Sequence, residues 1–237
     1  MAILGTKLYL VANGDIYIRN SAGSYAVHNN HKTFDNIWSM KGRLVASGTN
    51  GELYEVTGTS NPATIKALPT GSSWTDVTDG GAVVLACADD GYIYSLADES
   101  STLTIKGQTF VEGEVPNAID AAQGFIFYGT YQNTASGKIG RLYRAEITNA
   151  NSLYVLINAQ LIKQWGDGAI IDSASKTNLW RYYLPTGGIA RDLEFAESGI
   201  VKGIAVFSDR LFSTVSAGGA YRESTNYVAT GYIITPL

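Results

Sequence analysis

Ala88-Asp89-Asp90-Gly91-Tyr92-Ile93-Tyr94-Ser95-Leu96 reads as a tight turn followed by an alternating strand, and weaker copies of it recur along the chain. Asn13-Gly14-Asp15-Ile16-Tyr17, Asn50-Gly51-Glu52-Leu53-Tyr54 and Ile139-Gly140-Arg141-Leu142-Tyr143 are the clearer copies. Lys176-Thr177-Asn178-Leu179-Trp180 and Ala217-Gly218-Gly219-Ala220-Tyr221 are degenerate ones. The six occurrences lie roughly forty residues apart, the spacing of repeated sheet units.

Each copy has a physical reading. Asn-Gly and Asp-Gly tolerate positive φ at both central turn positions and so close two-residue hairpins with the right twist. After the turn, Leu or Ile sits beside an aromatic among polar residues, the pattern of a strand with one buried face. Before it runs a second apolar strand: Lys7–Ala12, Arg43–Ser47 or Ala82–Cys87. The repeat is therefore a β-hairpin and contains no helix.

Composition agrees. Of 237 residues only 16% are charged, while Gly (26) and Tyr (15) are abundant, as expected of short strands joined by glycine turns. The net charge is −4 with no cluster of Lys or Arg, so the counterion release that drives nucleic-acid binding has no source. The single cysteine, Cys87, lies in an apolar strand and reads as a small core hydrophobe; no disulfide within the chain can form. The N-terminus runs straight into a strand pattern without the basic head and apolar stretch of a signal peptide. No apolar run approaches the length of a membrane-spanning helix. A soluble chain without membrane insertion is expected.

Taken in order, residues 7–29 give three strands, Lys7–Ala12, Asp15–Arg19 and Ser24–His28, with no leading strand ahead of them. The next unit, 34–70, adds a leading strand at Asn36–Met40 and an outer one at Ala63–Leu68, flanked by Pro62 and Pro69. The unit at 72–110 repeats the plan, from Ser73–Val77 to Thr102–Ile105. Another spans 114–158, with Ala118–Ala121 leading, Leu153–Ile157 outside and a long polar loop from Tyr131 to Gly140. A fifth unit, 160–196, comprises Leu161–Trp165, Ala169–Ser173, Leu179–Leu184 and Ile189–Phe195. A sixth begins at Ile200–Phe207 and continues with Arg210–Val215 and Ala220–Glu223. These four-stranded units predict an all-β fold, a β-propeller forming one domain over residues 1–237. The tail from Tyr227 to Leu237 is rich in β formers, and its pairing with the strand-poor first unit would close the ring at six blades; five is the competing count.

The search for chemistry yields few candidates. His28 and His31 are the only histidines, and neither a Cys pair nor a third His completes a zinc set. Asp76 and Asp120 fall at similar points of leading strands, where a glycoside-cleaving propeller would hold its carboxylates; the same positions suit hydrogen-bonded structural acids. Asp89-Asp90-Gly91 is too short for a calcium loop. Trp38 and Trp74, with Trp165 in a similar place, read either as packing between blades or as a stacking surface for sugar rings. Tyr131–Ser136 and Tyr221–Tyr227 are candidate contact loops. No catalytic, cofactor-binding or metal-binding residue is assigned.

Tyr221-Arg222-Glu223-Ser224 followed by Tyr227-Val228-Ala229-Thr230-Gly231-Tyr232-Ile233-Ile234-Thr235-Pro236-Leu237 resembles the way propeller domains close in structural proteins of tailed bacteriophages. The blade at 74–94 resembles blades of the same proteins, and the likeness extends over most of the chain without a diagnostic motif. The resemblance implies a non-enzymatic virion component of the tail or head–tail region, assembled in the host cytoplasm. Its partners would be other virion proteins and further copies of itself around the particle axis. A lectin-like propeller that binds a cell-surface glycan is the alternative, and a glycosidase using Asp76 and Asp120 a third.

Overall fold

The computed structural model describes residues 1–79, 84–96, 101–109, 111–122, 124–135, 137–150, 153–165, 177–183, 188–195, 201–207, 210–215 and 219–222. The described residues are organised as strands, and they fall into two compact units, 1–168 and 169–237.

The N-terminal unit holds four antiparallel sheets, each of four strands in up-and-down order. The first comprises β1 (Ala2–Leu4), β2 (Lys7–Ala12), β3 (Asp15–Arg19) and β4 (Tyr25–Asn29). The second is β5 (Phe34–Met40), β6 (Arg43–Gly48), β7 (Glu52–Glu55) and β8 (Ala63–Ala67). The third is β9 (Trp74–Asp79), β10 (Val84–Ala88), β11 (Tyr92–Ser95) and β12 (Thr104–Gln108). The fourth is β13 (Glu114–Ala122), β14 (Phe125–Thr134), β15 (Gly137–Ala150) and β16 (Leu153–Trp165). The C-terminal unit contains a two-stranded sheet of β17 (Thr177–Tyr183) and β18 (Gly188–Phe195). It also contains a three-stranded sheet of β19 (Val201–Phe207), β20 (Arg210–Val215) and β21 (Gly219–Arg222).

Successive sheets of the N-terminal unit pack face to face, and their leading strands β1, β5, β9 and β13 are neighbours. Ala2, Tyr9 and Ile16 of the first sheet meet Phe34, Ile37 and Tyr54 of the second. Met40, Val45 and Leu53 of the second meet Trp74, Val77 and Tyr94 of the third. Leu85, Cys87 and Ile93 of the third meet Ile126, Tyr128 and Tyr143 of the fourth. This serial stacking of small meanders is how propeller blades pack.

Several sequence expectations change. The first sheet is not short of a strand: Ala2–Leu4 pairs with Leu4↔Lys7 to Ala2↔Tyr9 and supplies its leading strand. A C-terminal strand is therefore not needed to complete it; the tail after Arg222 lies outside the described residues. The long loop at 131–140 is strand instead, since β14 and β15 stay paired out to Thr134↔Gly137. Leu161–Trp165 does not open a fifth unit; it prolongs β16, pairing Leu161 with Tyr143 and Trp165 with Gly140. The strand expected at Ala169–Ser173 lies outside the described residues.

The hairpin turns also differ from one another. Asn13 (φ 53°) and Gly14 (φ 83°) form the expected two-residue turn with both φ positive. In the next two copies only the glycine is left-handed, Gly51 at 75° and Gly91 at 91°. There the loop has a third residue, closed by Gly51 N–H to Gly48 O and by Gly91 N–H to Ala88 O, each at 3.3 Å. That is a type I turn ended by a left-handed glycine.

The repeat's hydrophobic–tyrosine pair does not mark one buried face. Leu53 is 0% and Tyr54 3% exposed, because they point to opposite sides of a sheet that is covered on both. Ile93 and Tyr94 behave in the same way in the third sheet.

Candidate functional site

The polar groups of the N-terminal unit gather along the leading strands and around the repeat tyrosines. In the second, third and fourth sheets that tyrosine has a ring partner in its own sheet. Tyr54 stands edge-on to Phe34 (5.9 Å), Tyr94 edge-on to Trp74 (5.6 Å), and Tyr143 stacks on Tyr128 (5.0 Å). Each hydroxyl then donates to a carboxylate: Tyr54 to Glu52, Tyr94 to Asp90 at 2.6 Å, and Tyr143 to Glu114 at 3.1 Å. The source of the carboxylate differs for a reason legible in the copies. The position after the turn glycine is Glu52 in the second copy but Arg141 in the fourth, so the acid is supplied there by Glu114 of the incoming strand.

Glu114 is the most enclosed acid among the described residues, with its side chain 0% exposed. It accepts from the Thr130 hydroxyl, from Tyr143, from the Arg141 guanidinium at 3.4 Å and from Val111 N–H at 3.3 Å. Arg141 also donates to Gln132 Oε1 at 3.2 Å, and Gln132 Nε2 donates to the Glu112 carbonyl at 2.8 Å. A buried charge needs such a full set of partners, and here the set pins the segment leading into β13. Neither Glu114 nor Arg141 stands out in the sequence as a site residue. The available signal was Arg141, a cation where the sibling copies carry Asp15, Glu52 and Tyr92.

Asp76 lies on β9 and ties together three leading strands. Its Oδ1 accepts from Trp38 Nε1 of β5 (3.0 Å) and from Val77 N–H (2.9 Å); its Oδ2 accepts from Ile119 N–H of β13 (2.9 Å). Burial pushes its carboxyl above the usual range, with a smaller push from Asp120, against the pull of those donors. Asp120 repeats the arrangement one sheet later, accepting from Ala121 N–H (2.8 Å) and from the Thr78 hydroxyl (3.4 Å) of β9. The two acids are thus similar in place, as expected. Their oxygens serve as acceptors that fasten one leading strand to the next.

The tryptophans separate. Trp74 is 2% exposed and donates its indole N–H to the Gly51 carbonyl at 2.8 Å, a packing role. Its counterpart in the second sheet is Phe34, not Trp38, because Phe34 pairs with Gly48 as Trp74 pairs with Ala88. Trp38 is half-buried and held by Asp76. Trp165 stands at the end of an outer strand rather than on a leading one. Of the expected contact loops, Tyr131–Thr134 belongs to β14 and Tyr221 to β21; the residues after Arg222 lie outside the described ones.

His28 lies edge-on to Tyr9 at 5.2 Å, and burial and Lys7 hold its imidazole below 6.5. His31 bonds through its backbone N–H to Asn29 Oδ1. Among the described residues no three His, Cys, Asp or Glu side chains are placed to hold a metal. Cys87 is 0% exposed, and burial pushes its thiol well up. At the turn end of the third sheet a polar depression of about 290 Å³ opens between Asp89–Tyr92 and the 111–115 segment, with Glu112 on its wall. Asp89 is engaged by Ser73 N–H (2.7 Å) and Asp90 by Tyr92 N–H and Tyr94, so this depression too is lined by structural acceptors.

No protein-family model and no curated protein matches the chain. Solved structures do. The crystal structure of the computationally designed Ika8 protein is similar with a TM-score of 0.50 at 12% identity, over 89% of this chain. The match spans 65% of the designed protein's length. BamB from Moraxella catarrhalis gives a TM-score of 0.46 at 9% identity, over 97% of this chain and 83% of that one. Likeness at such identity speaks for the fold alone; the chain's own sheets are antiparallel meanders, four of them four-stranded. Among the described residues no helix is long and apolar enough to cross a membrane.

Proposed function

We propose that this protein is a non-enzymatic structural and interaction component of a tailed-phage virion, in the tail or head–tail region. It would present blade edges and loops to neighbouring virion proteins and to further copies of itself around the particle axis. The observation that carries the non-enzymatic part is the engagement of Asp76, Asp90, Asp120 and Glu114 as acceptors from neighbouring strands. A general acid or base needs a proton-accepting oxygen turned toward a substrate. The phage part rests on the resemblance of the closing stretch and of the blade at 74–94. We read the six sheets seen among the described residues, four of four strands, one of three and one of two, as six blades rather than five.

Mass spectrometry of purified particles, from the phage or prophage that encodes the chain, tests the reading. The chain is expected in the particle at a fixed stoichiometry; intact particles without it would sink the proposal. Hydrolysis of a glycoside that is lost in both Asp76→Asn and Asp120→Asn would overturn the non-enzymatic part.

A further inference from the structure

Asp76 divides its donors unequally between its two oxygens. Trp38 Nε1 and Val77 N–H both donate to Oδ1, at 3.0 and 2.9 Å, while Oδ2 accepts from Ile119 N–H alone, at 2.9 Å. Three strands pack against this part of β9. β5 brings the Trp38 indole, β10 brings Cys87 directly opposite Asp76, and β13 brings Asp120. Burial holds the Cys87 thiol protonated, so among the described residues the charge facing Asp76 is that of Asp120, of the same sign.

A carboxylate accepts on both oxygens, whereas a carboxylic acid keeps one acceptor oxygen and turns the other into a donor. Two N–H groups stabilise negative charge on Oδ1 and one does so on Oδ2, so the proton goes to Oδ2. An O–H there meets the Ile119 N–H donor against donor, and that bond is lost. The bonds to Oδ1 survive, because a carbonyl oxygen still accepts.

We propose that Asp76 is a proton-operated joint: ionised, it fastens β9 to both β5 and β13; protonated, it keeps β5 and releases β13 at Ile119. Burial, with a smaller push from Asp120, places the uptake above the pH at which an ordinary aspartate takes its proton. The release is local, since the Thr75 hydroxyl still donates to the Pro116 carbonyl (2.8 Å) and the Thr78 hydroxyl to Asp120 (3.4 Å). Every group involved lies between residues 38 and 120, within the N-terminal unit. The joint therefore works whether or not the chain belongs to a particle.

NMR of the isotope-labelled full chain, titrated from about pH 7 to about pH 3, tests this. The Ile119 amide proton is expected to move upfield, and its protection from exchange to fall by roughly tenfold, through a midpoint above 3.8. The Trp38 indole and Val77 amide protons should keep their protection through the same step. Asp120→Asn removes the like charge and is expected to lower the midpoint. Trp38→Phe removes a donor that stabilises the anion and is expected to raise it. Asp76→Asn, which has no proton to take up, should abolish the step at Ile119. An Ile119 amide unchanged across the titration would overturn the proposal, as would a step that survives Asp76→Asn or affects Trp38 and Val77 equally. A midpoint unmoved or raised by Asp120→Asn would do the same, and that variant decides the question should Asp76→Asn not fold.

Discussion

At the scale of the residue, the carboxylates decide how the sheets are held. Glu114 pairs with Arg141 inside the fourth sheet, so Glu114→Ala removes the buried carboxylate to which Arg141, Tyr143 and Thr130 all donate. We expect a loss of about 3–5 kcal/mol, read from a urea denaturation midpoint. The tyrosines give a pH signature. Burial, reinforced by Glu52 and Glu114, pushes the phenols of Tyr54 and Tyr143 up to about 12, while an unfolded tyrosine ionises near 10. The fold therefore retains protons that the unfolded chain loses between those values. The resulting stability is complete below pH 10 and is lost as the pH rises through about 12. Denaturation midpoints measured across that window should fall, and Tyr54→Phe with Tyr143→Phe should flatten the fall. The repeat tyrosines were legible in the sequence. Their acid partners were not, because Glu114 reaches Tyr143 from a strand 29 positions away.

At the scale of the element, the turn glycines share a backbone conformation and differ in surroundings. Gly42 and Gly51 have φ of 72° and 75°, yet a Cβ on Gly42 meets nothing within 4 Å and one on Gly51 lies 2.5 Å from the Ser72 carbonyl. Gly42→Ala is expected to cost about 1 kcal/mol, the left-handed strain alone. Gly51→Ala should cost clearly more, since the connection into β9 must shift as well. Thermal melts of the two variants side by side check this, and equal losses would refute it. Strand positions at Lys7–Ala12, Asp15–Arg19 and Arg210–Val215 could be read directly from the alternation. The extended pairing of β14 with β15 could not, because a polar run such as Gln132-Asn133-Thr134 reads as loop until its partner strand is known.

At the scale of the molecule, the N-terminal sheets form a series in which each inner sheet belongs to two junctions. Trp74 is buried in the junction between the second and third sheets. Trp74→Ala is expected to cost about 3–5 kcal/mol through the cavity it leaves. Nearest-neighbour coupling of repeats should make the loss local. Hydrogen exchange should then quicken most in β5–β11 and least in β2–β4; a uniform change across the unit would contradict serial packing.

Taken by itself, the sequence determined the all-β class, the hairpin as the repeating unit, its spacing and most strand positions. Turn chemistry and two-residue alternation are local properties, written in neighbouring residues. Only the tertiary structure decided which strand leads the first sheet, that inner sheets are buried on both faces, and what Asp76 and Glu114 do. Those outcomes depend on which groups lie within hydrogen-bond distance after distant segments pack: Trp38, Asp76 and Ile119 converge from three sheets, and no local pattern encodes that convergence.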